Sequence, residues 1–259
     1  MSKERLIEKI TFSAIMLSFG IVSTLVFKLV PMGPFPFLRF SLTPSIVIFV
    51  SIVAGPLFGA VVGIFSDLIP AFLLAVGGSY NPFLSIAYCA LGVLPYFLAR
   101  LVKKYSSFFK KPFVLYGLYG LFIILLGITF YANPPLEEAF GENAYWIKPL
   151  ILSLTFLTIV VFFVLVFFLN KKRENDPLYR NKSEFSLYEI AFISFISEAL
   201  TMTIGKSLAF FAFGLIYNWN LSYWYFFSML ILGLAPSTLV DLFFISFLLP
   251  FKNRFQINR

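Results

Sequence analysis

Apolar positions in this chain run in long unbroken blocks rather than alternating or tracing a narrow stripe. They occupy residues 10–30, 44–54, 56–75, 83–101, 113–131, 149–169, 187–216 and 224–249. Blocks of roughly 20 residues match a hydrocarbon layer of ~30 Å at ~1.5 Å rise per residue. The pattern predicts an all-α polytopic membrane bundle of about eight transmembrane helices, folded as a single membrane domain over 1–259. The block at 44–54 is short for a span and is expected to tilt or to meet a thinner protein edge. The first block is too long for a signal-peptide core and has no small-residue cleavage site after it, so it is expected to stay as a helix.

Composition agrees with the pattern. The chain has 259 residues, 60% of them hydrophobic and 12% charged, and a mean hydropathy of +0.91, which excludes an ordinary soluble domain. It contains no histidine, which removes histidine triads, HExxH zinc sites and most proton relays that titrate near neutrality. The lone Cys89 lies in an apolar block, leaving no intrachain disulfide or cysteine metal site. No cofactor or metal is expected, and any catalysis would rest on carboxylates.

The net charge of +8 reports topology rather than nucleic-acid binding, because the basic residues are spread among loops. With both termini cytoplasmic, the inner segments hold Lys3, Arg5 and Lys9, the clusters Arg100 to Lys111 and Lys171 to Lys182, and Lys252, Arg254 and Arg259. Outside remain Lys28, Arg39 and Lys148. The positive-inside rule favours that orientation. The basic loops suit anionic lipid headgroups as well as a protein partner.

Candidate chemistry concentrates in residues 39–75. An arginine and aromatics lead into an apolar block, the chain reverses at Gly55-Pro56, and the next block carries Gly59, Gly63 and Asp67. Pro56 suits the first helical turn and Gly55 the reversal before it. The four-residue spacing puts both glycines and the aspartate along one face, where small residues allow close helix contact. An ionised Asp in mid-bilayer costs ~2.5–3.5 kcal/mol, so Asp67 is expected to face protein, ligand or water. The loops 28–43 and 77–82 fall on the outer side and together close a pocket, with Arg39 over a mouth of Phe35, Phe37, Phe40 and Tyr80. The plainer alternatives are an Asp67 that only bonds helix to helix and an Arg39 that snorkels to the interface. Ala14 and Ser18 form a small-xxx-small pair in the first helix, with Gly20 and Thr24 further on, and the partner of that pair is either internal or another subunit.

Four charged residues, Asp67, Glu198, Lys206 and Asp241, fall well inside predicted helices rather than at their ends, and counting from the outer ends sorts them by depth. Asp67 and Lys206 lie about 13–15 Å down, Glu198 and Asp241 about 26 Å down. At the upper level an Asp and a Lys compensate each other or meet an acidic ligand. At the lower level, water and loop arginines are expected to solvate the two carboxylates. An intramembrane aspartic protease built on Asp67 and Asp241 is disfavoured, because such a dyad needs its carboxyls within hydrogen-bonding range. Gly205-Lys206-Ser207 mimics the end of a phosphate loop only by chance, since Leu200 stands where the first glycine belongs.

Arg39-Phe40-Ser41, Pro44, Ala54-Gly55-Pro56, Gly59, Gly63, Asp67 and the loop Gly77-Gly78-Ser79-Tyr80-Asn81-Pro82 resemble the S components of energy-coupling factor (ECF) vitamin transporters, closest to the folate-binding branch. The match covers about the first hundred residues; residues 187–249 resemble the family's last two helices only in hydropathy and order. The resemblance implies a subunit that takes a vitamin-like small molecule from outside and docks on a transmembrane coupling subunit carrying two ATPases. It implies substrate contacts at Arg39, Phe37, Phe40, Ser41, Asp67, Tyr80 and Asn81, and partner docking at Ala14 and Ser18. Lys206 joins the substrate set from its depth alone. Family members usually have six helices, so residues 113–169 read as a helical hairpin inserted between helices 1–4 (residues 1–101) and the last two. The rival readings are a self-contained secondary carrier, the aspartic protease and a purely structural membrane subunit.

Overall fold

The computed structural model describes residues 3–29, 42–73, 80–132, 144–175, 185–219 and 222–249. Among them the chain is helical without a strand: α1 (Lys3–Leu29), α2 (Thr43–Ala54), α3 (Pro56–Leu73), α4 (Pro82–Lys104), the short α5 (Ser106–Phe109), α6 (Pro112–Ala132), α7 (Ala144–Asn175), α8 (Leu187–Glu198), a π-helical segment Ala199–Gly205, α9 (Lys206–Ile216) and α10 (Tyr223–Leu248). Among the described residues six stretches are long and apolar enough to cross a membrane: Glu4–Val26, Pro56–Leu73, Pro82–Lys104, Pro112–Thr129, Leu187–Ile216 and Tyr223–Leu248. Thr43–Ala54 and Thr155–Lys171 are apolar but shorter. The protein is thus an all-α, multi-pass membrane bundle.

The short helix corrects one expectation. At 12 residues α2 reaches ~18 Å, well short of a bilayer core. It does not sit at a thin edge: every residue except Pro44 is buried. It forms the axis of the bundle, wrapped by α1, α3, α4, α8 and α10. Lipid never solvates it, so its length is not set by the bilayer. Lys9 on α1 donates to the Ala54 carbonyl at 3.0 Å, satisfying one of the carbonyls that a helix C-terminus leaves without an intrahelical partner.

Glycine spacing explains how α3 meets α4. A Cβ on Gly59 would stand 2.1 Å from the Gly92 carbonyl oxygen, one on Gly92 2.1 Å from that of Gly59, and one on Gly63 2.2 Å from that of Tyr88. The two backbones touch, and only glycine permits that approach. The reversal before α3 is made by Gly55 at φ 110°, a conformation other residues rarely adopt.

The inward face of α1 carries polar residues. Thr43 donates to the Gly20 carbonyl at 3.3 Å, the Thr24 and Thr43 hydroxyls lie 2.6 Å apart, and the Leu42 N–H donates to Ser23 at 3.3 Å. Ala14 and Ser18 face away, exposed beside Ile15 (59% exposed) and Phe19 (58%). The small residues of α1 therefore divide between an internal contact and an external face.

Helices α6 and α7 pack onto α8 and α10. Their anchor is Tyr119, fully buried, with its ring stacked 4.9 Å from Phe162 and 4.6 Å from Phe195. The Tyr119 and Thr238 hydroxyls lie 2.8 Å apart. Without a hydrophobic force between helices in lipid, such packing and polar contacts are what hold them. At the start of α8, Ser186 and Glu189 form a reciprocal capping box, and Ser106 of α5 donates to the second oxygen of Glu189 at 2.7 Å.

Candidate functional site

The polar residues predicted around the hairpin meet at the end of the bundle where α3 finishes and α4 begins. Asp67 lies on α3, half-buried, and accepts a hydrogen bond at 2.7 Å from Ser85, in the first turn of α4. The Ser85 hydroxyl is also 2.5 Å from that of Tyr80. Asp67, Ser85 and Tyr80 thus form one chain of hydrogen-bonding groups. The Tyr80 ring stacks on Phe72 at 5.7 Å.

Asn81 closes the site on its other flank. Its side-chain oxygen accepts from the Phe83 N–H at 3.0 Å, capping α4, and its amide donates at 3.2 Å to the Ala209 carbonyl on α9. Lys206 stands three residues before Ala209, on the turn of α9 that Asn81 grips. Asp67, Tyr80, Asn81 and Lys206 are therefore carried by neighbouring elements at one end of the bundle. Arg39, Phe37, Phe40 and Ser41 lie outside the described residues. Ser85 was not anticipated from sequence; its one signal is a hydroxyl one turn after the Asn81 cap.

The lower pair of carboxylates is closer than depth alone implied, and drier. Glu198, at the end of α8, and Asp241, on α10, are each 1% exposed, which overturns the expectation that water and loop arginines solvate them. The two carboxyls are neighbours, because the Ser237 that donates to Glu198 stands one turn before Asp241 on α10. Ser237 donates to Glu198 Oε2, and Ser45 of α2 donates to Asp241 Oδ1 at 2.5 Å. The carboxyl that neighbours Asp241 is that of Glu198, while Asp67 accepts from Ser85.

Among the described residues no group of three or more His, Cys, Asp or Glu is placed to hold a metal ion. At this end of the bundle the described residues present an anionic acceptor with a fixed donor, an adjacent aromatic face and an amide. No protein-family model, curated protein or solved structure matches this chain.

Proposed function

We propose that the chain is the substrate-binding membrane subunit of an ECF-type transporter, capturing a vitamin-like small molecule, folate-like in chemistry, from outside for ATP-driven uptake by partner subunits. In this reading the chain crosses the bilayer eight times, counting α2 and α7, with both termini cytoplasmic. The observation that carries it is the Asp67–Ser85–Tyr80 chain of hydrogen-bonding groups at the mouth of the glycine-packed hairpin. A carboxylate has about four lone-pair sites, so Asp67 can accept ligand N–H donors in addition to its partners within the chain. Phe37, Phe40 and Tyr80 stack on a flat ring, Ser41 and Asn81 hydrogen-bond its edge, and Arg39 and Lys206 meet ligand carboxylates. Such sites are apolar with a few placed polar groups. Ala14 and Ser18, outward on α1, dock on the coupling subunit, which brings two ATPases.

Native mass spectrometry of the gently purified protein tests the reading. A small molecule retained at one per chain, and lost from Arg39→Ala and Asp67→Ala, is the expected result. An empty protein that takes up nothing from a vitamin panel would shift the balance to a self-contained carrier, which transports in proteoliposomes without ATP.

A further inference from the structure

The carboxyls of Glu198 and Asp241 meet at the centre of the C-terminal half, with one oxygen of each left over. Ser237 occupies Glu198 Oε2 and Ser45 occupies Asp241 Oδ1, while Glu198 Oε1 and Asp241 Oδ2 are buried without a hydrogen-bond partner. Ser194 lies one turn before Glu198 on the same face of α8; it is fully buried, and its hydroxyl also lacks a partner. Two neighbouring negative charges in a buried interior repel strongly, and a buried carboxylate without a counter-charge is costly. One ammonium, that of Lys206, acts on Glu198 electrostatically, and it balances at most one of the two carboxylates. Among the described residues of the surrounding helices, α2 has no ionisable residue, α3 brings Asp67, α6 brings Tyr119, α4 brings Tyr88 and, in its last two turns, Arg100, Lys103 and Lys104, and Lys9 of α1 is bonded to the Ala54 carbonyl at the far end of α2.

The backbone is also irregular at this level. The π-helical segment starts directly after Glu198, and Pro236, immediately before Ser237, cannot donate to the Leu232 carbonyl. Interrupted membrane helices expose backbone carbonyls that ions use.

We infer that Glu198 and Asp241 form a monovalent-cation site inside the membrane, holding one proton or one alkali ion between Glu198 Oε1 and Asp241 Oδ2. Both occupants serve the same chemistry, a single positive charge shared by two oxygens. Ser45 and Ser237 occupy one oxygen of each carboxyl and leave the other for the cation. The occupied site ties α2, α8 and α10 together.

The test uses the full chain in lipid nanodiscs. With a proton bound, infrared spectroscopy at neutral pH shows a protonated-carboxyl stretch that shifts on carboxyl-13C labelling of aspartate or glutamate, persists in Asp67→Asn and disappears or moves in Glu198→Gln or Asp241→Asn. With an alkali ion bound, that stretch is missing and the Tm rises when Na+ or Li+ replaces choline at constant ionic strength, a response lost in Glu198→Gln and Asp241→Asn. Isotope labelling and the alkali series are read on the wild-type chain, so they decide even if a variant fails to fold. A wild-type protein with neither a protonated-carboxyl stretch nor an alkali-dependent Tm overturns the inference, because both carboxylates are then ionised without a bound cation.

Discussion

Ser45 on α2 donates a hydrogen bond to Asp241 on α10 at 2.5 Å, joining residues 196 apart in sequence, and both side chains are at most 1% exposed. The bond fastens the buried axis of the bundle to its last helix. Ser45→Ala leaves Asp241 Oδ1 without its donor, and an unsatisfied buried group costs about 1–3 kcal/mol. Hydrogen bonds between membrane helices average ~0.6 kcal/mol and reach ~1.7, so the lower half of that range is expected. The Tm of Ser45→Ala in detergent should fall by several degrees. A Tm equal to wild type would mean that Asp241 finds another donor.

Close contact of α3 and α4 makes a sharper prediction. Gly92→Ala drives its Cβ to 2.1 Å from the Gly59 carbonyl, a backbone atom that no rotamer change can move. Loss of the monodisperse peak in size-exclusion chromatography is expected for Gly92→Ala and equally for Gly59→Ala. Gly117 on α6 has nothing within 4 Å of an added Cβ, so Gly117→Ala should be neutral or gain up to ~1 kcal/mol from helix propensity. Normal behaviour of Gly92→Ala would show that the hairpin can open.

Much of this architecture was legible in the sequence, for identifiable reasons. Hydropathy located the helices, and the spacing of Gly59, Gly63 and Asp67 announced a tight face, although their partners Gly92 and Tyr88 required the fold. Burial of α2 was not legible, because an all-apolar segment reads the same whether lipid or protein surrounds it. Its clue was length: 12 residues are too few to span. The π-helical segment left a similar trace, since the apolar stretch Leu187–Ile216 holds 30 residues where about 20 suffice. Counting residues set Glu198 and Asp241 at one depth, but depth does not say which helices are neighbours, so their contact and their dryness emerged only from packing.

The proposed ligand recognition at Asp67 can be separated from folding through Ser85. Ser85→Ala removes one hydrogen bond to the carboxylate and keeps its charge, so affinity for the retained ligand should fall about fivefold, equivalent to ~1 kcal/mol. Asp67→Ala removes the acceptor itself, and a loss of roughly 10- to 100-fold is expected. Isothermal titration against the ligand identified by mass spectrometry measures both. Equal affinities for wild type and Asp67→Ala would reduce Asp67 to a helix-to-helix contact.

The two faces of α1 yield the prediction that best separates docking from packing. Ala14 and Ser18 are exposed, and Ser18 donates only to the Ala14 carbonyl of its own helix, at 3.0 Å. Gly20 is buried, and a Cβ there would already touch Ile46 at 3.8 Å and Ser66 at 3.9 Å. Ala14→Leu and Ser18→Leu add bulk on a face that is exposed among the described residues, so fold, Tm and ligand affinity should match wild type. Gly20→Leu must force its side chain into α2 and α3, and overpacking of that kind costs about 1–3 kcal/mol. If the outward face docks on a coupling subunit, the Leu variants should bind ligand normally yet fail to support ATP-dependent uptake or to co-purify with the partner subunits. Small residues matter at such a contact because they let two helix backbones approach, and a leucine holds them apart. Uptake unchanged in the Ala14→Leu, Ser18→Leu double variant would leave that face to lipid and place any partner elsewhere on the bundle.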